Sequence, residues 1–112
     1  MSDCIFCKII AGEIPSNKVY EDENVLAFHD IKPSAEVHLL VIPKKHIASL
    51  NELKSDDEEL MGKLILAITK IAKENGLKGF KTLINTGKEG GQIVFHIHAH
   101  LFGGKISSKL PE

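Results

Sequence analysis

Residues 55–76 read SDDEELMGKLILAITKIAKENG, a run long enough and regular enough to constrain everything around it. Leu60, Met61, Leu64, Ile65, Ile68, Ile71 and Ala72 recur at spacings of three and four, the signature of a helix with one apolar stripe. Ser55 and Glu58 have the spacing of a capping box, and three acidic residues fall in the first turn, where the macrodipole favours negative charge. Gly76 is placed for a left-handed stop, so a helix from about Asp56 to Glu74 is expected, its stripe facing a sheet or a second subunit.

Outward from this helix the pattern changes to short strands. Val37 to Ile42, Val-His-Leu-Leu-Val-Ile, is almost continuously apolar and ends at Pro43, which suits a central strand interrupted by one histidine. Before it, Lys18 to Glu21 and Val25 to His29 flank the polar Asp22, Glu23 and Asn24 and read as a hairpin. After the helix, Phe80 to Thr86 and Val94 to Phe102 flank a polar loop, Gly87 to Gln92, and read as a second hairpin. A short helix, Cys4 to Ala11, precedes them all and is stopped by Gly12, with Pro15 beyond. Strands on both sides of one long helix, joined by hairpins, predict an α+β fold with an antiparallel five-stranded sheet, one long helix and one short one. No repeat, low-complexity tract or linker interrupts the 112 residues, so a single domain over 1–112 is expected.

Composition narrows the function. Hydrophobic residues make up 43% and charged residues 26%, as in an ordinary globular protein with a packed core. Fourteen Lys and Arg oppose fifteen Asp and Glu, giving a net charge of −1, so no broad positive field gathers nucleic acid or an anionic membrane. No apolar run reaches the ~20 residues of a membrane span, and the amino terminus lacks the build of a signal peptide. A soluble intracellular protein is expected, cytoplasmic and, in a eukaryote, also nuclear.

Three of the six histidines lie in Phe95-His96-Ile97-His98-Ala99-His100-Leu101-Phe102. On a strand, His96, His98 and His100 share one face while Phe95, Ile97, Ala99 and Leu101 cover the other. Such a ladder of imidazoles supports two chemistries: a metal site, or nucleophilic attack on phosphorus with neighbouring imidazoles orienting the nucleophile and contacting phosphoryl oxygens. The glycines of Gly87 to Gln92 would let backbone N–H groups approach a phosphate, although hairpin loops use glycine for geometry too. Cys4 and Cys7 are the only cysteines and have the spacing of half a zinc site; the alternative is a pair of free thiols. His46 and His96 are the available further ligands.

His96-Ile97-His98-Ala99-His100-Leu101-Phe102 resembles the His-φ-His-φ-His-φ-φ signature of the histidine triad superfamily, φ being hydrophobic. Phe6 to Ile10, Ala27 to Ile31, His38 to His46 and Gly90 to Gln92 are similar, in order, to the nucleotide-binding branch of that family. The resemblance implies a compact α+β unit pairing into a homodimer with a continuous sheet. It implies a hydrolase of purine nucleoside phosphoramidates that binds AMP, GMP or related aminoacyl nucleotides and works through a nucleotidyl-histidine intermediate.

The implied roles are specific. His98 matches the nucleophile, His100 the residue that contacts the α-phosphate and aids departure of the leaving group, and His96 and His38 the supporting imidazoles. Asp30 matches the carboxylate that takes both ribose hydroxyls. Phe6, Ile9, Phe28 and Ile31 match the base pocket, and Asn85, Gly91, Gln92 and Ile93 the phosphate contacts. Ile93 replaces a serine common in animal members, so hydroxyl assistance to the leaving amine is not implied. Microbial members also hold a structural zinc on residues matching Cys4, Cys7, His46 and His96, while catalysis itself needs no cofactor. A dinucleoside polyphosphate hydrolase and a nucleotide-binding regulatory module are the alternatives. A DNA deadenylase fits less well, for want of a basic arm or a zinc-finger tail. The carboxyl-terminal tail, Lys105 to Glu112, is expected to border the partner's pocket in a dimer; it has no Trp.

Overall fold

The computed structural model describes residues 3–106. Its elements are α1 (Ile5–Ile10), β1 (Lys18–Glu21), β2 (Val25–His29), β3 (Ala35–Pro43), α2 (Glu58–Glu74), β4 (Lys81–Leu83) and β5 (Ala99–Ile106). The strands form one sheet in the order β1-β2-β3-β5-β4, every neighbouring pair antiparallel. This is the expected α+β fold, with one long and one short helix. No helix among the described residues is long and apolar enough to cross a membrane.

Local chemistry explains the boundaries. Asp22 Oδ1 accepts from the amides of Asn24 and Val25 at 2.7 and 2.8 Å, closing the β1–β2 turn. Cys4 caps α1, its Sγ accepting from the Cys7 amide. At the far end of α2, Leu77 N donates to Ala72 O and Gly76 takes φ +71°, the left-handed stop foreseen for it.

Alternation along the strands gives the sheet two unlike faces. Val25, Ala27, Leu39, Val41, Ala99 and Leu101 point to one side, where Leu64, Ala67, Ile68 and Ile71 of α2 close a core that also takes in Ile47 and Ile97. Leu26, Phe28, Leu40 and Ile42 point to the other, where they meet Phe6 and Ile9 of α1.

Four details differ from the sequence expectation. The start of α2 is a 3-10 turn, Ser55–Asp57, in which Asp57, not Glu58, supplies the capping carboxylate. Its Oδ2 accepts from Lys54 N at 3.0 Å while Oδ1 pairs with Lys45 Nζ at 2.6 Å. Ile65 is 52% exposed and Ala67 takes a place in the stripe, because the sheet covers the line through Leu64, Ile68 and Ile71 and leaves Ile65 on its flank. The last strand begins at Ala99 instead of Val94, and β4 stops at Leu83. Phe95, expected inside, is therefore 46% exposed.

The physical reason for the late start is that residues 94–98 spend their backbone groups elsewhere. Val94 O accepts from Gln92 Nε2, His96 O from the side chain of His98, and Ile97 N donates to Ile47 O at 2.8 Å. In the β4–β5 register residues 85 and 86 fall opposite 98 and 97, outside the ladder. Of the tail, Lys105 and Ile106 end β5, and residues 107–112 lie outside the described part.

Candidate active site

The hydrogen bonds around the histidines run in a fixed direction, set by backbone groups that can act only one way. Ser34 N–H donates to His38 Nδ1 at 2.9 Å, so the hydrogen of a neutral His38 is on Nε2. That Nε2 lies 2.9 Å from His100 Nδ1, to which it donates, leaving the hydrogen of neutral His100 on Nε2. A carbonyl can only accept, so His98 Nδ1, 2.8 Å from His96 O, carries a hydrogen, and in the neutral ring the lone pair is on Nε2. One imidazole is thus prepared as a nucleophile and the next as a donor.

Burial favours the neutral forms of His38 and His100. The His100 pKa is pushed down from 6.5 to about 4, first by loss of solvent and then by the neighbouring imidazoles of His98 and His38. Burial likewise lowers His38, against the opposing pull of the Asp30 carboxylate, whose Oδ2 is 3.4 Å from His38 Nε2. The other carboxylate oxygen of Asp30 accepts from Lys32 N at 2.8 Å. Phe6 meets the His98 ring edge-on, with centroids 5.1 Å apart, and Phe102 stacks on His100.

Beside these groups opens a cavity of about 440 Å³ whose wall includes Phe6, Ile9, Phe28, Asp30 and Ile31. These are the five residues assigned to base and ribose from the sequence, and all line one space. Ser16, Asn17 and Leu40 line it too and were not singled out; nothing in the sequence pattern marks them. The residues assigned to phosphate lie on the β4–β5 connection. Asn85 is half-buried just past β4, and Gly91 sits at φ +86° after the 3-10 turn Lys88–Gly90. Gln92 is buried, with Oε1 accepting from Gly87 N and Nε2 donating to Ala48 O and Val94 O, so its side chain is spent on holding the loop. Ile93 is 88% exposed and borders a different cavity, next to Cys4 and His46.

Cys4, Cys7, His46 and His96 converge so closely that they could hold a metal ion. His96 Nδ1 lies 3.3 Å from Cys4 Sγ, 3.7 Å from Cys7 Sγ and 3.2 Å from His46 Nδ1, and Cys7 Sγ is 3.3 Å from His46 Nδ1. A tetrahedral ion at ordinary Zn–N and Zn–S lengths needs ligand–ligand edges of about 3.3–3.8 Å, so the spacing fits. His96 Nε2 donates to Pro43 O at 2.8 Å, which turns the Nδ1 lone pair toward the thiols. His96 therefore faces the thiols with its ring and His98 with its carbonyl.

Comparison with known proteins agrees with this arrangement. Residues 3–111 match the family described as scavenger mRNA decapping enzyme C-term binding. The chain is 55% identical over 107 residues to protein HitA of Neisseria gonorrhoeae, spanning 95% of this chain and all of that one. It is 44% identical over 105 residues to the purine nucleoside phosphoramidase of Escherichia coli strain K12, spanning 92% and 88%. Among solved structures, a HIT family hydrolase from Legionella pneumophila superposes with a TM-score of 0.92 at 47% identity, covering 98% of this chain and all of that one. A histidine triad protein from Clostridium difficile does so with the same score at 49% identity, covering 100% and 96%. With its directed imidazoles, its sheet order and these relatives, the chain belongs to the histidine triad superfamily.

Proposed function

We propose that this protein hydrolyses purine nucleoside phosphoramidates, releasing AMP or GMP through a nucleotidyl-His98 intermediate. The observation that carries the reading is the bond from His98 Nδ1 to His96 O, which places the lone pair of the neutral ring on Nε2, next to a donor imidazole. The phosphoramidase name of the 44% identical relative supports the same class.

In this reading the apolar wall of Phe6, Ile9, Phe28 and Ile31 takes the base and Asp30 the ribose hydroxyls. His98 Nε2 attacks phosphorus and the P–N bond breaks. A substrate protonated on nitrogen then releases neutral amine, and His98, its Nδ1–H still held by His96 O, becomes a nucleotidyl-imidazolium. Water attacks that phosphorus next, the P–Nε2 bond breaks, and nucleoside monophosphate and one proton leave. His100, kept neutral by burial, directs Nε2–H at the phosphoryl oxygens and stabilises their developing charge.

Cys4, Cys7, His46 and His96 would hold zinc, which supplies a structural tie between α1 and the sheet. A homodimer completes the proposal. Exposed Ile65 and Leu66 on α2, and exposed Phe80 beside the edge strand β4, are the surfaces that favour it. The test is release of AMP from adenosine 5′-phosphoramidate by the purified protein, followed by chromatography. Turnover is expected; a protein that binds AMP yet releases none from the phosphoramidate would overturn the reading.

A further inference from the structure

Among the described residues, one buried side-chain oxygen or nitrogen has no hydrogen-bond partner: Ser16 Oγ. Ser16 also lines the 440 Å³ cavity beside the catalytic histidines. A hydroxyl shut off from water and left unbonded costs free energy in the folded protein, so its presence on a ligand wall needs a reason.

The rest of that wall sharpens the point. Ile5, Phe6, Ile9, Ile14, Phe28 and Leu40 offer only apolar surface, and Asp30 is engaged with Lys32 N and His38. Asn17 and His29, the wall's remaining polar side chains, are both exposed, and the Asn17 carbonyl fastens the loop to β2 by accepting from His29 N at 3.0 Å. Within the buried part of the cavity, unspent hydrogen-bonding capacity is concentrated at Ser16. An apolar slot alone grips a flat ring without distinguishing its edge, whereas a purine edge presents both donors and acceptors. A serine hydroxyl is donor and acceptor at once and can meet either kind. It turns between staggered rotamers to do so, and no existing bond has to break first.

We propose that Ser16 reads the base, its hydroxyl bonding an edge atom of the purine ring when nucleotide enters the cavity. This rests on the nucleotide-binding reading above. Ser16→Ala and wild-type protein should be compared by titration calorimetry with AMP and with GMP, by competition with ribose 5-phosphate, and by thermal melting without ligand. Ser16→Ala should bind AMP and GMP about three- to tenfold more weakly, as loss of one neutral hydrogen bond requires. It should bind ribose 5-phosphate as wild type does and should melt no lower than wild type, since an unpartnered hydroxyl stabilises nothing in the free protein.

Equal affinity of the two proteins for AMP and GMP would overturn the proposal. So would a matching loss for ribose 5-phosphate, or a lowered melting temperature, either of which would make Ser16 a support for the loop. A wild-type protein that binds neither AMP nor GMP would instead remove the nucleotide reading, and this proposal with it.

Discussion

The two faces of the sheet are made from the same strands and do opposite things. Under α2, alternate residues of β2, β3 and β5 are apolar and wholly buried, and what holds them is non-directional burial. Under α1, the intervening residues include His38, His98 and His100, and what holds them is a set of directed bonds to Ser34 N, His96 O and one another. One face is packed with apolar side chains, and the other sets a cavity and buried imidazoles beside a smaller apolar cluster of its own.

The sharpest way to break this division is His98→Asn. Its turnover should fall about a thousandfold or more, as removal of a covalent nucleophile does, with little change in melting temperature. Retained turnover within tenfold of wild type would mean that the imidazole face is not where the chemistry lies. The converse change is Ile71→Ala, in the α2 core. It should cost about 2–5 kcal/mol in urea denaturation, while the folded fraction keeps its turnover rate. A smaller loss accompanied by reduced turnover would show that the faces are not separable.

Zinc sharpens the comparison on the α1 side. Adding it to metal-free protein at a hundredfold over its dissociation constant should stabilise by about 2.7 kcal/mol, and Cys7→Ser should abolish most of that gain. The last test of the comparison is pH. His100 is held at about 4 in the folded protein against 6.5 ordinarily, so the unfolded chain binds a proton first as pH falls. The stabilisation by neutral His100 is therefore complete above about pH 6.5 and is lost progressively toward pH 4. Burial moves His38 and His96 in the same direction. The urea midpoint should decline through that window, less steeply in His100→Gln; a flat profile would deny that the imidazole face is desolvated.

How much of this was legible in the sequence follows the same division. The α2 core could be read from spacing, since burial of a stripe depends only on periodicity. The strands β1 and β2 followed from short runs around polar turn residues and β3 from a nearly continuous apolar run ended by Pro43, and Cys4, Cys7, His46 and His96 were picked out together from ligand type and resemblance. What spacing could not show is where a strand stops. Residues 94–98 have the alternation of a strand, but Gln92, Ile47 and the His98 ring take the backbone bonds that a ladder would need. Those partners are distant in sequence or belong to side chains, so periodicity is blind to them. Gln92 is legible as a loop residue but not as the clamp of its loop, and Ser16, next to Pro15 in the connection between α1 and β1, carries no pattern at all.

Ile97 lies one peptide bond from His96 and one from His98, with its side chain in the α2 core and its amide bonded to Ile47 O. A substitution there is judged twice, once for packing and once for where it leaves the two histidines. Val25 is just as deeply buried in the same core but has no such neighbours. A saturation library at 97 should therefore yield fewer active clones than one at 25 among variants of equal stability. The freedom of this segment to drift over generations is narrower than its burial alone would set.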